Sequence, residues 1–165
     1  MTNKRYIGVD EYRGLVAEIA RQVAVDNWKP DLIIGITRGG AWPAVMLSHY
    51  FNCKMVGLDI SLRDKFDTDP RYCTGPEHNG WADEDAMNGR NILIVDDIND
   101  SGATINFIRE DWMAYKWDKQ DNVRFAVLIS NEASKAVVDP KYVGEYINKH
   151  ADPVWIVFPY EEWWR

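Results

Sequence analysis

Cysteine is nearly missing from this chain. Among 165 residues there are two, Cys53 and Cys73. Their separation fits neither a zinc-ligand pair nor a Cys-x-x-Cys motif, so a disulfide scaffold and a zinc centre are disfavoured. Two free thiols in a reducing compartment are expected. Positive charge is also short: 19 Lys and Arg stand against 26 Asp and Glu, for a net charge of −7. That balance argues against a nucleic acid or an anionic membrane as the main partner. It leaves anionic small molecules open, because a few local donors and a metal ion outweigh net charge within a site. No apolar run is long enough to span a membrane, and no basic-then-apolar leader opens the chain. A cytoplasmic location is expected. Internal repeats and low-complexity segments are missing, and no Gly-x-Gly-x-x-Gly follows the first strand, which disfavours a dinucleotide-binding domain.

The bulk composition is that of a soluble globular protein, with 46% hydrophobic and 27% charged residues. The length suits one domain over residues 1–165 with a sizeable core. Tyr12, Leu15, Val16, Ile19, Ala20 and Val23 fall at helical spacing and form one apolar stripe, with Asp10 placed to cap the helix. Leu32–Ile36, Lys54 to Ser61, and Phe125–Ile129 read as strands. Leu32–Ile36 is apolar without alternation, which suits a parallel sheet buried on both faces. Helices are expected from about Pro43 to Phe51, and over a face carrying Ile105, Ile108, Trp112 and Tyr115. Residues 63–90 are polar and rich in turn signals, a candidate mobile loop. Lys135 to Asn148 reads as irregular. Strands separated by helices imply an α/β layer fold with a parallel sheet, which binds ligands beyond the C-terminal strand ends.

Two strand-to-helix junctions carry candidate chemistry. Ile92 to Val95 reads as a buried strand that ends in Asp96 and Asp97, followed by Asp100 and by Ser101, Gly102, Ala103 and Thr104 at the start of a helix. Helix N-termini present unpaired N–H groups and a positive dipole end, which favour phosphate. Ser101 and Thr104 add hydroxyl donors, and paired acids suit a hard cation or a polyhydroxy ligand. The bland alternative is a strand with a solvated acidic turn. At the second junction, Thr37-Arg38-Gly39-Gly40 follows Leu32–Ile36. Its glycines let the backbone approach an anion, and the Arg38 guanidinium can grip phosphate oxygens in pairs. A plain turn with an exposed arginine is the alternative there.

The run ILIVDDINDSGAT, Ile92 to Thr104, resembles the signature of type I phosphoribosyltransferases, which bind 5-phosphoribosyl-1-pyrophosphate (PRPP). The Arg38 segment resembles the pyrophosphate loop of the purine members. Trp155-Ile-Val-Phe-Pro-Tyr-Glu161 resembles the hood segment of the short microbial enzymes acting on xanthine, guanine or hypoxanthine. This resemblance implies a type I phosphoribosyltransferase-like fold: a central, mostly parallel sheet flanked by helices, with a small hood formed partly by residues 130–165. It implies a purine phosphoribosyltransferase of purine salvage, taking PRPP and a purine base to a nucleoside monophosphate and pyrophosphate.

The resemblance also implies roles. Asp100 is the catalytic proton acceptor. Asp96 and Asp97 hold the ribose hydroxyls, directly or through Mg2+, with Glu161 near the metal. Ser101, Gly102, Ala103 and Thr104 grip the 5′-phosphate, and Arg38, Gly39 and Gly40 the pyrophosphate. Trp155 stacks on the base, Ile156 reads it through its backbone, and Ile98 and Asn131 belong to the same subsite. Thr37–Arg38 is the bond to inspect for a cis peptide. Residues 63–90 form a lid, with Arg63, Lys65 and Arg71 as candidate pyrophosphate contacts. A homo-oligomer, dimer or higher, is expected.

One position departs from the pattern. The 6-oxopurine enzymes usually place a lysine after the strand Phe125–Ile129, and the matched position here is Asn131. Its amide can donate or accept, and so can face a 6-oxo or a 6-amino group. Lys135 is a possible substitute. Two alternatives stay open: an adenine-specific enzyme, and a non-catalytic regulator on the same fold that senses PRPP or a nucleotide.

Overall fold

Strand β1 (Asn3–Tyr6) leads into helix α1 (Val9–Val25). The computed structural model describes residues 3–60, 89–113 and 121–165, the side chains of 111–113 apart. All six stripe residues of α1 are buried, as their spacing predicts. Its N-cap is Gly8 and not Asp10, which sits in the first turn. There its charge complements the helix dipole without capping it. β2 (Leu32–Thr37), α2 (Ala41–Phe51), β3 (Lys54–Asp59), β4 (Ile92–Asn99), α3 (Ala103–Met113), β5 (Val123–Asn131), β6 (Tyr142–Ile147) and β7 (Val154–Val157) follow.

Five strands form a parallel sheet in the order β3-β2-β4-β5-β6. The pleat sends alternate residues to opposite faces. Leu93 and Val95 of β4 pack with Ile33, Leu128 and the buried residues of α1 and α2. Ile92 and Ile94 pack with Leu32, Ile34 and Phe125, and with Ile105 and Ile108 of α3. Helices therefore cover both faces, which is why Ile92–Val95 must be apolar at every position. Trp112, through its side chain, and Tyr115 lie outside the described residues.

Two expectations are corrected. Residues 142–147 are not irregular but form β6, the edge strand paired with β5. An edge strand needs no continuous apolar run, and Gly144 and Glu145 interrupt this one. Asp96 and Asp97 lie inside β4, not beyond it. Pairing with β2 stops at Gly35↔Val95, where the chain turns back and the Gly40 N–H donates to the Ile36 carbonyl at 2.7 Å. Pairing with β5 continues through Asp96↔Val127, Ile98↔Ile129 and Asn99↔Ser130. The end of β4 thus keeps one edge open beyond the end of its pairing with β2.

β1 and β7 pair in parallel as a separate two-stranded sheet, from Asn3↔Val154 to Tyr6↔Val157. Arg5 binds both oxygens of Glu145 in β6, at 2.7 and 2.8 Å, and ties this small sheet to the large one. The C-terminal segment therefore builds the hood, with the N-terminal strand as its partner. Among the described residues, no helix is long and apolar enough to cross a membrane.

Candidate active site

A cavity of about 1050 Å³ opens beyond the C-terminal ends of β2 and β4. Besides parts of β3 and β5, three places build its wall. The loop after β2 supplies Arg38 and Gly39; the end of β4 and the loop after it supply Asp96, Asp97, Ile98, Asp100 and Ser101 to Thr104; the hood supplies Trp155, Tyr160, Glu161 and Trp164. The Thr37–Arg38 peptide bond is cis. Thr37 donates from its hydroxyl to Asp59 at 3.1 Å, bracing this loop against β3. The expected lid, with Arg63, Lys65 and Arg71, lies outside the described residues apart from Gly89 and Arg90.

Three residues expected at the site do not line the cavity. Gly40 is the N-cap of α2 and packs beneath it, where a Cβ would overlap the Val95 carbonyl oxygen. Ile156 is buried in the core. Asn131 is buried as well, and its amide is committed. Nδ2 donates to the Asp100 carbonyl at 3.0 Å, while Oδ1 accepts from the N–H groups of Ala133 and Lys149 at 3.2 and 3.1 Å. Lys135 is exposed, with its N–H bonded to the Ser101 carbonyl at 3.0 Å.

Asp96 and Asp97 do not act as a side-by-side pair. Adjacent residues of one strand leave it on opposite faces. Asp96 follows Ile92 and Ile94 toward the α3 side, and Asp97 follows Leu93 and Val95 toward α1 and α2. Asp97 Oδ2 accepts the hydroxyl of Tyr160 at 2.5 Å. Burial pushes the Tyr160 hydroxyl far above the ordinary phenol range, and the Asp97 charge and hydrogen bond push it further. It is therefore a donor throughout the working pH range. Tyr12 is raised too, by burial and then by the Asp97 charge, and its hydroxyl has no hydrogen-bond partner among the described residues.

Asp100 is held from two sides. Lys149, on the turn between β6 and β7, places its ammonium 3.0 Å from Asp100 Oδ2. Asn131 Nδ2 stands 3.4 Å from Oδ1. Lys149 carries no local signature in the sequence, and its contact with Asp100 comes from the fold alone. At the adjoining end, Ser101 to Thr104 wrap the start of α3. The Ser101 hydroxyl accepts from the Ala103 N–H at 3.3 Å. Gly102 sits at φ +85°, against the backbone of Ala136, where a side chain has no room. The start of α3 thus lines the cavity with small residues, and a helix N-terminus favours an anion.

In the hood, Trp155 is half-exposed and presents an aromatic wall. Glu161 turns one oxygen to the Phe158 N–H at 2.8 Å and also lines the cavity. No cluster of three metal-binding side chains exists among the described residues. The oxygen donors of Asp96 and Glu161 nonetheless suit magnesium, which is commonly held by one or two carboxylates together with substrate phosphates.

Comparison with known proteins agrees with this layout. The Phosphoribosyl transferase domain family matches residues 7–162. Xanthine-guanine phosphoribosyltransferase of Idiomarina loihiensis is 26% identical over 157 residues, covering 94% of this chain and 86% of that protein. The enzyme of the same name from Cereibacter sphaeroides is 28% identical over 139 residues, covering 82% and 72%. The crystal structure of purine phosphoribosyltransferase from Pyrococcus horikoshii superposes with a TM-score of 0.72 at 27% identity, covering 97% of this chain and 95% of that one. With the match running over nearly all of the chain, and with the parallel sheet and the hood in place, the protein belongs to the phosphoribosyl transferase domain family.

Proposed function

We propose that this protein is a purine phosphoribosyltransferase of purine salvage that moves the 5-phosphoribosyl group of PRPP onto a 6-oxopurine. The observation that carries this reading is Asp100, which lines one cavity with the start of α3 and Trp155 and has the Lys149 ammonium 3.0 Å behind its Oδ2. In the reaction the bond from the anomeric carbon to pyrophosphate breaks and a bond to an imidazole nitrogen of the base forms. The base's proton passes to the Asp100 carboxylate, a role typically worth ~10²–10⁴-fold in rate. Ser101, Gly102, Ala103 and Thr104 receive the 5′-phosphate. Arg38 and the Gly39 backbone receive pyrophosphate, with Gly40 setting the start of α2 behind them. Asp96 faces the ribose hydroxyls. Asp96 and Glu161 would hold magnesium together with the substrate phosphates, and it would supply neutralisation of the leaving charge.

Lys149 favours a 6-oxopurine. A purine carries N7 and its C6 substituent on one edge, with an oxygen acceptor in guanine and an amino donor in adenine. A carboxylate beside an ammonium matches an imidazole N–H beside a carbonyl oxygen, and opposes an amino group there. Asn131, already bonded at both ends of its amide, acts through Asp100 rather than on the base. Trp155 and Ile98 flank the ring, and Ile156 anchors Trp155 from the core. The relatives named for xanthine and guanine support the same preference. The reading carries with it a cytoplasmic homo-oligomer, testable by sizing in solution.

The test is pyrophosphate release with PRPP and magnesium, offering hypoxanthine, guanine, xanthine and adenine one at a time, with orotate and uracil as controls. Turnover with a 6-oxopurine is expected. Turnover with adenine alone moves the assignment to the amino-purine enzymes, and PRPP binding without turnover of any base makes the protein a sensor.

A further inference from the structure

Three parts of the chain meet at the Asp97 carboxylate. From the tail after β7, the Tyr160 hydroxyl donates to Oδ2 at 2.5 Å. From the loop after β2, Gly39 lies so close that a Cβ there would overlap Oδ2, Cγ and Oδ1. The third part is β4 itself. Tyr160 is fixed in turn by other rings. Trp42 of α2 and Tyr12 of α1 meet it edge-on, with centroids 5.5 and 6.2 Å away, and Phe158 stacks on it at 5.7 Å.

We propose that Tyr160 is a positioning residue for the pyrophosphate loop, acting through Asp97 as a strut between the hood and Arg38–Gly39. The identity of the anion rests on the phosphoribosyl-transfer reading above. Among the described residues the loop's own restraints sit at its two ends: the Thr37 hydroxyl on Asp59 at 3.1 Å, the Gly40 N–H on the Ile36 carbonyl at 2.7 Å and the Ala41 N–H on the Arg38 carbonyl at 3.2 Å. Gly39 contributes no side chain, so the Asp97 carboxylate forms the wall against which it rests. A negative charge beside a diphosphate site also opposes anion binding. A hydrogen bond from a phenolic hydroxyl to that charge offsets part of the repulsion. Asp97 is thereby a support for the loop, and Asp96, on the opposite face of β4, is left for the ribose.

The test is direct binding of magnesium pyrophosphate, followed by calorimetry, to the intact chain and to Tyr160→Phe. This variant keeps the ring and its aromatic packing and removes one hydrogen bond to a charged group. Its affinity for pyrophosphate should fall about tenfold, while the KM for the purine stays within about twofold and the thermal midpoint is unchanged. Equal affinity in the two proteins overturns the proposal. Asp97→Asn retains an acceptor for Tyr160 and should keep PRPP affinity within about threefold. A loss on the order of a hundredfold with a raised magnesium requirement would instead make Asp97 a direct ligand, which also overturns it. Binding of pyrophosphate needs no turnover. Wild-type protein that shows the tenfold difference but uses no purine therefore retains the strut and loses the functional reading; purine turnover with no difference does the reverse.

Discussion

Asp100 has both carboxylate oxygens engaged, Oδ2 with the Lys149 ammonium and Oδ1 beside the Asn131 amide. That fixes its direction without using its capacity to take a proton. Asp100→Asn keeps the shape and removes the base. Turnover should fall about 10²–10⁴-fold, while PRPP affinity, measured by calorimetry, barely changes. Near-normal turnover would remove Asp100 from the proton-accepting role. Lys149→Gln shortens and neutralises the second group. It should lower kcat/KM for guanine or hypoxanthine about 10–100-fold and narrow the gap to adenine, as read by competing the two bases in one assay. An unchanged ratio between the bases would show that Lys149 does not read the purine. The grouping of the three acids with the Ser101–Thr104 turn at one cavity was legible in the sequence because they are contiguous in the chain. Lys149 was not, because it meets Asp100 only through the pairing of β5 with β6. The opposite facing of Asp96 and Asp97 was hidden for a different reason: β4 continues past its apolar stretch, so the pleat, not a turn, sets their directions.

At the scale of elements, the two strand-to-helix junctions line the cavity, and the one before α3 is the more constrained. Gly102 combines φ +85° with direct contact on the Ala136 backbone. An added methyl meets both the left-handed backbone penalty and an immovable neighbour. Gly102→Ala should destabilise the fold by at least about 1–2 kcal/mol and weaken PRPP binding, because the shifted turn no longer presents Ser101 to Thr104 together. Urea unfolding and PRPP calorimetry check the two effects separately. A variant as stable as the parent, with full PRPP affinity, would show that this turn tolerates displacement. The buried elements were plain from spacing: all six stripe residues of α1 are inside, and β2 and β4 follow their apolar runs. β6 was misread because an edge strand with Gly144 and Glu145 in it has no continuous apolar signal. The partnership of β1 with β7 joins the two ends of the described chain, and no local pattern announces such a pairing.

The whole molecule is held across its two sheets by an aromatic cluster, Tyr12, Trp42, Phe158 and Tyr160, that packs the hood tail onto α1 and α2. This cluster gives stability a pH dependence. Burial raises the Tyr12 and Tyr160 hydroxyls above the ordinary phenol value, and the nearby Asp97 charge adds to both. The folded state therefore holds these protons more tightly than the unfolded chain does. Their contribution is fully present below the unfolded tyrosine pKa of about 10. It is lost as pH rises above that value, at up to about 1.4 kcal/mol per pH unit for each group. Tyr12→Phe separates this from the titration of lysines. At neutral pH it removes a buried hydroxyl that has no partner among the described residues, so the variant should match or exceed the parent in stability, by up to about 1 kcal/mol. Above about pH 10 it should lose stability less steeply, by one proton's worth of slope. Urea midpoints from about pH 8 to about pH 12 report both. Parallel curves for the two proteins would mean that Tyr12 titrates alike in the folded and unfolded states, and that the Asp97 charge does not reach it.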